Sequence, residues 1–314
     1  MPLGYPGEVT VTDQTLRRLS FQEWRTLELA HQARAEALTE AHLARRSRHE
    51  RHPVEDFLWT YYSVKPAELR RWHPGAGVVL EFGGEDRAHW RHYAAEGDDA
   101  ALDLDAFFEQ REATVNYVDR LLRATLEHTP RFGCFGLHEW AMVYRLTPEQ
   151  LRHAQLPLRI GHEATDQVVR SNQISCTHFD AYRFFTKPAE PFNEHRPTPT
   201  RENQPELEQS GCLHAGMDIY KWASKLGPIV PGEVLLDAFE LARDIREVDM
   251  RASPYDVSAF FGSDGSRLVA IKIETPEGKR EYARLQRGFA ARGNELRERV
   301  IAAITVARAS RPER

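Results

Sequence analysis

Residues 211–250 read GCLHAGMDIYKWASKLGPIVPGEVLLDAFELARDIREVDM, and this stretch decides the fold class. Apolar residues recur in it at helical spacing, before and after the pairs Gly227-Pro228 and Pro231-Gly232. These pairs are typical of the end of one helix and the start of the next. The stretch therefore predicts helices over about 212–226 and 231–250, and a mainly helical protein.

The flanking sequence extends this pattern. Helices are also predicted over residues 21–48, over residues 103–127, and for about 28 residues from Glu281. Thr147-Pro148-Glu149-Gln150 has the cap, proline and capping-box residues of a helix start. Strands are predicted in GVVLEFG, residues 77–83, and in LVAIKIETPEGKREY, residues 268–282, where a turn follows the strand. The polar residues 84–100 predict a loop.

Together these elements predict a mainly α protein with a small β element, an α+β class. We expect residues 1–19 to be an N-terminal lead-in, residues 20–308 a single compact, mainly helical catalytic domain, and residues 309–314 a charged tail. Residues 186–210 contain five prolines and almost no apolar side chains. A loop of this length inside a compact domain is often functional, so the segment is interpreted as a Pro-rich lid.

Composition narrows the class of protein. The chain of 314 residues is 41% hydrophobic and 28% charged, which is ordinary for a globular protein. Its net charge of -5 lacks the basic excess that is typical of proteins that bind phosphates. One basic run, residues 45–52, suits either an anionic partner or a solvated helix end. The sequence has neither a GxGxxG nor a GxxxxGK[ST] motif, so no nucleotide cofactor is indicated.

Three cysteines, Cys134, Cys176 and Cys212, are too few and too far apart for a disulfide framework or a zinc knuckle. A reducing compartment is the simplest setting for them. The sequence also lacks a signal peptide and an apolar run of membrane-spanning length. We therefore expect a soluble, cytoplasmic protein with three free thiols and no membrane partner.

Histidines are concentrated in the middle of the chain, where seven of the fourteen lie between His128 and His214. The first histidine segment is RFGCFGLHEWAMVYR, residues 131–145, which contains the adjacent pair His138-Glu139. Met142 stands where an HExxH zinc helix needs its second histidine, so that motif is excluded. His138 and Glu139 are candidate catalytic residues, and the alternative is a hydrogen-bonded core histidine.

The second segment is SNQISCTHFDAYRFF, residues 171–185. On a strand, His178 and Asp180 project to one face together with Cys176; on a helix, His178 aligns with Tyr182 instead. A histidine and a carboxylate two apart on a strand can hold a metal or form an acid–base couple. Arg183 is a candidate for binding an anionic substrate group through its planar guanidinium.

The third segment is helical, and it places His214 and Asp218 four residues apart on one face. This pair can bind one metal ion or form an acid–base couple; a structural ion pair is the alternative. Lys221 and Trp222 follow as candidate substrate contacts. The next helix carries four acids, which indicate a solvated face, and the polar corner after it adds Arg251 and Tyr255 as candidate substrate contacts.

These spacings predict one pocket. His178, Asp180, His214 and Asp218 are expected to form its catalytic core and to be the ligands of a divalent metal, zinc or iron. His138 and Glu139 are the next catalytic candidates.

The strings RFGCFGLHEWAMVYR, CTHFDAYRFF, PELEQSGCLHAGMDIYKWASKLGP and DIREVDMRASPYD resemble a bacterial family that often carries the name 3-methyladenine DNA glycosylase. The resemblance runs from about His52 to about Arg287. It implies hydrolysis of the N-glycosidic bond of an alkylated purine flipped out of DNA. The helix-hairpin-helix segment of characterised glycosylases is missing from this sequence, so no catalytic residue is carried over.

The sequence thus favours an enzyme with a His/Asp-rich acid–base site, assisted by a metal, that acts on a small polar or nucleobase-like substrate. A DNA N-glycosylase, with DNA as partner and no need for a metal, is the first alternative. A non-catalytic protein that binds a small ligand in the same pocket is the second.

Overall fold

The computed structural model describes residues 16–62, 64–153 and 155–311. Most of these residues are helical and a few form one small sheet, which confirms the predicted fold class. The α-helices are α1 (Phe21–Ser47), α2 (Phe57–Tyr61), α3 (Pro66–Leu69), α4 (Gly84–Arg87), α5 (Leu104–Glu127), α6 (Leu137–Ala141), α7 (His162–Arg170), α8 (Phe179–Tyr182), α9 (Gln204–Leu207), α10 (Leu213–Leu226), α11 (Gly232–Ala252) and α12 (Pro276–Ala309). Within the described ranges, no helix is both long and apolar enough to cross a membrane.

Helix α10 lies at the centre of the fold. It packs mainly against α11 and also against α12 and α5, so it is buried on almost all sides. Gly216 allows the closest of these approaches, because a Cβ there would lie 2.7 Å from Cδ1 of Ile245 on α11. The side chains of α10 and α11 are therefore held close to one another in the interior.

The long helices agree with the sequence predictions. Helices predicted over 21–48, 103–127, 212–226 and 231–250 are confirmed by α1, α5, α10 and α11. The last helix begins five residues before the predicted Glu281, because Thr275 caps it by accepting a hydrogen bond from the backbone N–H of Gly278. Pro276 then occupies the first helical position, where its missing N–H costs nothing.

The sheet has four strands in the order β1-β2-β4-β3: β1 (Arg17–Leu19), β2 (Val78–Leu80), β3 (Tyr93–Glu96) and β4 (Asp99–Leu102). The strand predicted in residues 77–83 is confirmed by β2. The prediction of a loop over 84–100 was wrong, because α4 and the β3–β4 hairpin lie there. The hairpin is built largely on alanines, which gave no alternating apolar signal.

The ends of the predicted domain are described only in part. Residues 1–15 of the predicted lead-in and residues 312–314 of the predicted tail lie outside the described residues. Part of the predicted lead-in is regular structure, because strand β1 (Arg17–Leu19) pairs in parallel with β2.

Two further predictions were wrong. Residues 268–274 form no ladder, although Leu268, Ile271 and Ile273 are buried; they are apolar because they cover the core. The helix predicted from Thr147 is only a 3-10 turn, Pro148–Gln150, although its capping box forms. Leu151 takes an extended conformation and is buried, which ends the turn.

The Pro-rich segment is partly ordered into short helical turns, a 3-10 helix at Lys187–Phe192 and α9. Its last residues, Gln204 and Glu208–Ser210, are buried. This end of the segment therefore belongs to the interior, and Glu208 reaches the histidines described next.

Candidate functional site

One group of charged side chains, here called the His138 cluster, joins α6 to the end of α11. His138 Nε2 lies 3.0 Å from Oδ1 of Asp249, and His138 Nδ1 lies 3.3 Å from Sγ of Cys134. Both ring nitrogens of His138 are thus engaged. Burial alone would lower the pKa of His138, but the Asp249 carboxylate and Cys134 outweigh burial and hold this pKa well above its usual value.

Glu139 is the second acid of the His138 cluster. It is 6% exposed, and burial followed by the nearby Asp249 charge raises its pKa to about 6. Arg246 Nη1 is 3.5 Å from Oε1 of Glu139 and 3.4 Å from Oδ2 of Asp249. Burial opposes the ionisation of Asp249, but His138 and Arg246 keep its pKa well below the usual value. Two neighbouring carboxyls therefore differ in their affinity for a proton.

His214 of α10 completes the cluster. Its ring meets the His138 ring edge-on at 4.5 Å between centroids, and it stacks on the His178 ring at 5.5 Å. Burial and the charge of His138 hold the pKa of His214 well below its usual value. Among the described residues, its buried Nδ1 has no hydrogen-bond partner. His214 is therefore a neutral ring with a free nitrogen.

A second group, here called the Lys221 cluster, lies on the other side of His214. Lys221 Nζ is 2.7 Å from Oδ2 of Asp180 and 2.8 Å from Oδ2 of Asp218. His178 Nδ1 is 3.0 Å from Oε2 of Glu208, and its Nε2 is 3.5 Å from Oδ2 of Asp218. The cluster is thus one connected network of largely buried charged groups.

The charges of the Lys221 cluster stabilise one another against burial. Burial disfavours the charged forms, but Lys221 lowers the pKa of Asp180, and the two aspartates raise the pKa of Lys221. Glu208 likewise outweighs burial and raises the pKa of His178. The ammonium group of Lys221 already occupies the place between Asp180 and Asp218 that a bound cation would need.

The prediction that a strand carries His178 and Asp180 was wrong. His178 is extended, but it is the residue before α8, and Asp180 lies inside that helix. Asn193 explains why no strand forms, because its side chain accepts from Cys176 N–H and donates to Cys176 O. The backbone of Cys176 therefore needs no neighbouring strand.

A pocket of about 100 Å³ opens onto both clusters. Aromatic side chains form much of its wall, and Glu139, Asp180 and His214 lie in its lining. The remaining lining residues are Phe57, Tyr61, Tyr62, Met142, Arg152, His153, Phe184, Met217, Arg246 and Tyr255. Apolar walls with a few convergent polar groups are typical of a small-molecule site.

The structure brings the predicted histidines together but divides the predicted metal set. Side chains that could hold a metal ion form two groups, His138, Glu139, His214 and Asp249 in one and His178, Asp180 and Asp218 in the other. His214 and Asp218 share a helix, yet each contacts a different group. His178, Asp180, His214 and Asp218, the predicted ligands of one ion, are thus divided between the two groups, although the His178 and His214 rings stack at 5.5 Å. Their binding of a single ion stays a prediction.

The predicted substrate contacts are scattered. Tyr255 lines the pocket, and Arg183 forms an ion pair with Asp180 at 2.9 Å beside it. Lys221 forms ion pairs with Asp180 and Asp218. Trp222 packs against Tyr117. Arg251 does not line the pocket and instead donates to the carbonyl of Val269.

Sequence reasoning missed Asp249, Arg246 and Glu208 as site residues. Asp249 lies four residues after the buried Ile245 on α11 and is itself fully buried. A charged residue in an apolar helical stripe needs a buried partner, and this signal was present in the sequence. Glu208 lies in a polar, Pro-rich segment and gave no such signal.

A scan against protein-family models and searches of curated proteins and of solved structures found no match to this chain.

Proposed function

We propose that this protein is an enzyme that performs acid–base chemistry on a small, planar, polar molecule, with Glu139 as the group that transfers the proton. The observation that carries the proposal is a buried carboxyl that lines an aromatic pocket and has a pKa raised to about 6. A proton-transfer group works best when its pKa lies near the working pH.

The walls of the pocket support a flat substrate. Phe57 and Tyr61 stack at 5.0 Å between ring centroids, and Tyr61 meets Tyr62 edge-on at 4.9 Å. Tyr255 forms another part of the lining and is 3% exposed. Aromatic side chains bind planar rings by stacking, so a nucleobase-like molecule fits this chemistry.

Each polar group would have a distinct role. Glu139, when ionised, accepts a proton from a substrate N–H or from water and later returns it. Asp249 stays ionised because His138 and Arg246 lie beside it. Neutral His214 orients the substrate through a hydrogen bond. Paired carboxyls whose surroundings separate their pKa values commonly divide acid and base roles in this way.

A metal-assisted version of the reaction is the second candidate. It is favoured by the His138 cluster, whose four potential ligand atoms lie within 4.8 Å of one another, and by the free Nδ1 of His214. Two histidines with carboxylates suit zinc or iron. In this version Glu139 would be a metal ligand. His138 would bind the metal through one ring nitrogen and would lose the contact that this nitrogen now makes with Cys134 or Asp249.

Elemental analysis tests the metal-assisted version. If it is correct, protein purified without chelator should hold about one zinc or iron per chain, and His214→Ala should lose it. His89→Ala, at an exposed histidine of the segment after α4, is the matched control and should keep the metal. A wild-type protein that takes up neither ion after incubation with zinc or with ferrous iron would exclude this version and leave the metal-free one.

A panel of purine and pyrimidine bases tests the proposed function. The protein should bind at least one base and convert it, as measured by ligand-observed NMR and product chromatography. Tyr255→Leu should weaken binding by about 2- to 12-fold, because an aromatic pair is worth about 0.5–1.5 kcal/mol beyond its buried area. Phe82→Leu, which removes an aromatic ring that is 64% exposed, should change nothing.

The same panel includes methylated duplex DNA, which distinguishes the glycosylase alternative. With a net charge of -5, we expect weak duplex binding that disappears at moderate salt. Release of free 3-methyladenine by the wild type, lost in Glu139→Gln, would instead establish DNA as the substrate. Binding of a base without any conversion would favour a non-catalytic ligand-binding protein.

A further inference from the structure

Arg246 is a buried guanidinium whose hydrogen bonds are incomplete. It is 3% exposed, and its contacts with Glu139 and Asp249 are long, at 3.5 and 3.4 Å. Within the part of the chain that the structure describes, its buried Nε has no partner. An arginine carries five N–H donors, and a buried donor without an acceptor costs free energy. Arg246 lines the pocket, where a ligand can supply an acceptor.

A second cation lies at the pocket wall. Arg152 and Arg183 both stack on the Phe184 ring, with their Cζ atoms 3.9 and 4.1 Å from its centroid. Arg183 is neutralised by Asp180 at 2.9 Å. Arg152 is exposed, and over residues 16–62, 64–153 and 155–311 no carboxylate lies within 4.0 Å of it. Arg152 is therefore a cation without an ion pair beside the pocket.

The other charges around the pocket cancel. Asp180 and Asp218 are balanced by Lys221 and Arg183. His178 balances Glu208, and His138 balances Asp249 in the same way. What remains is Arg152 and Arg246 against the single carboxyl of Glu139. The pocket lining therefore offers two guanidinium groups to a ligand.

We propose that the substrate of this pocket is an anion, a planar ring that bears a carboxylate-type group bound by Arg246 and Arg152. The inference rests on the proposed function and narrows its substrate class. A guanidinium donates two parallel N–H bonds to a carboxylate, and the unpartnered Nε of Arg246 can be one of the two donors. The ring then lies between the aromatic walls while its anionic group faces the two arginines.

Paired probes test the inference, each pair having the same ring shape with and without the charge: nicotinate with nicotinamide, and benzoate with benzamide. Dissociation constants are measured by calorimetry or ligand-observed NMR at low salt. The carboxylates should bind at least about tenfold tighter than the amides, because hydrogen bonds between charged groups are the stronger ones. Arg152→Gln should reduce this preference about threefold, and Arg246→Met should abolish it.

Arg120→Gln is the matched control, since this exposed residue of α5 undergoes the same change of charge away from the pocket. It should leave the preference unchanged. Arg152 is exposed and makes no ion pair among the described residues, so its variant should fold even if Arg246→Met does not.

Equal or weaker binding of the carboxylates would overturn the anionic substrate and leave the proposed function standing. A preference that survives in Arg152→Gln as strongly as in Arg120→Gln would also overturn it. If neither member of either pair binds at about 10 mM while a base of the panel does, the inference fails and the proposed function stands; if no probe and no base binds, both fail.

Discussion

Glu139→Gln should lower the rate of conversion by about 10²–10⁴-fold while the substrate still binds, because the amide cannot accept the proton that Glu139 transfers. The wild-type rate should rise with pH through about 6, the value to which burial raises the pKa of Glu139, since the ionised form is the base. The measurement is kcat and KM across pH 5–8 on the base found in the panel. Glu163→Gln, at an exposed glutamate of α7, is the control and should behave as the wild type.

The same substitution should stabilise the fold at neutral pH. The pKa of Glu139 is raised from 4.5 to about 6, so its stabilising contribution is present below pH 4.5 and lost as pH rises through about 6. Above that pH the buried negative charge costs about 2 kcal/mol, because each pKa unit corresponds to about 1.36 kcal/mol. Urea unfolding at pH 8 should therefore show Glu139→Gln to be more stable than wild type, and at pH 4 the difference should vanish. A wild-type rate in Glu139→Gln would exclude Glu139 from catalysis, whatever its stability.

Asp249→Asn should destabilise the protein by about 3–5 kcal/mol, since the substitution leaves His138 and Arg246 without their buried counter-charge. Asp249 is fully buried and contacts them at 3.0 and 3.4 Å. The pKa of Asp249 is held low in the fold, so its contribution is present above pH 3.8 and is lost as pH falls below that.

His138 gives this loss of stability a pH dependence. Its pKa is raised in the wild type, so the stability that it contributes is full below pH 6.5 and is lost as pH rises through the raised value. In Asp249→Asn this contribution is gone, and the loss should be larger at pH 6 than at pH 9. Urea unfolding at both values measures it, with Asp86→Asn of α4, an exposed position, as control. Equal stability of Asp249→Asn and wild type would show that the ion pairs of the His138 cluster do not support the fold.

The long helices could be predicted because each carries its own periodic signal. Helices α1, α5, α10 and α11 each span several turns, and their burial patterns repeat along the chain. The hairpin β3–β4 and the short turn at Pro148–Gln150 could not, since tertiary contacts decide how far such short elements extend. Leu151 is an example, because its buried position goes with an extended backbone that ends the turn.

The sequence predicted which segments contribute to the site, but not which of their side chains contact one another. Spacing showed that His214 and Asp218 share one side of α10, but not that α6 would meet the first and α8 the second. The polar corner at the end of α11 predicted Arg251 as a substrate contact, whereas Arg246, five residues earlier on α11, lines the pocket. Which elements surround a helix depends on the packing of the whole chain, and local periodicity holds no information on it.

The three histidine rings side by side restrict where a proton can go. Carboxylates beside the two outer rings, His138 and His178, raise the pKa of both rings and so favour their charged forms. The middle ring, His214, would have to become a third positive charge between them if it took a proton, and its pKa is correspondingly low. The middle ring is therefore the weakest base of the three. In the proposed reaction, a proton released in the pocket would therefore pass to Glu139 or to solvent rather than to His214.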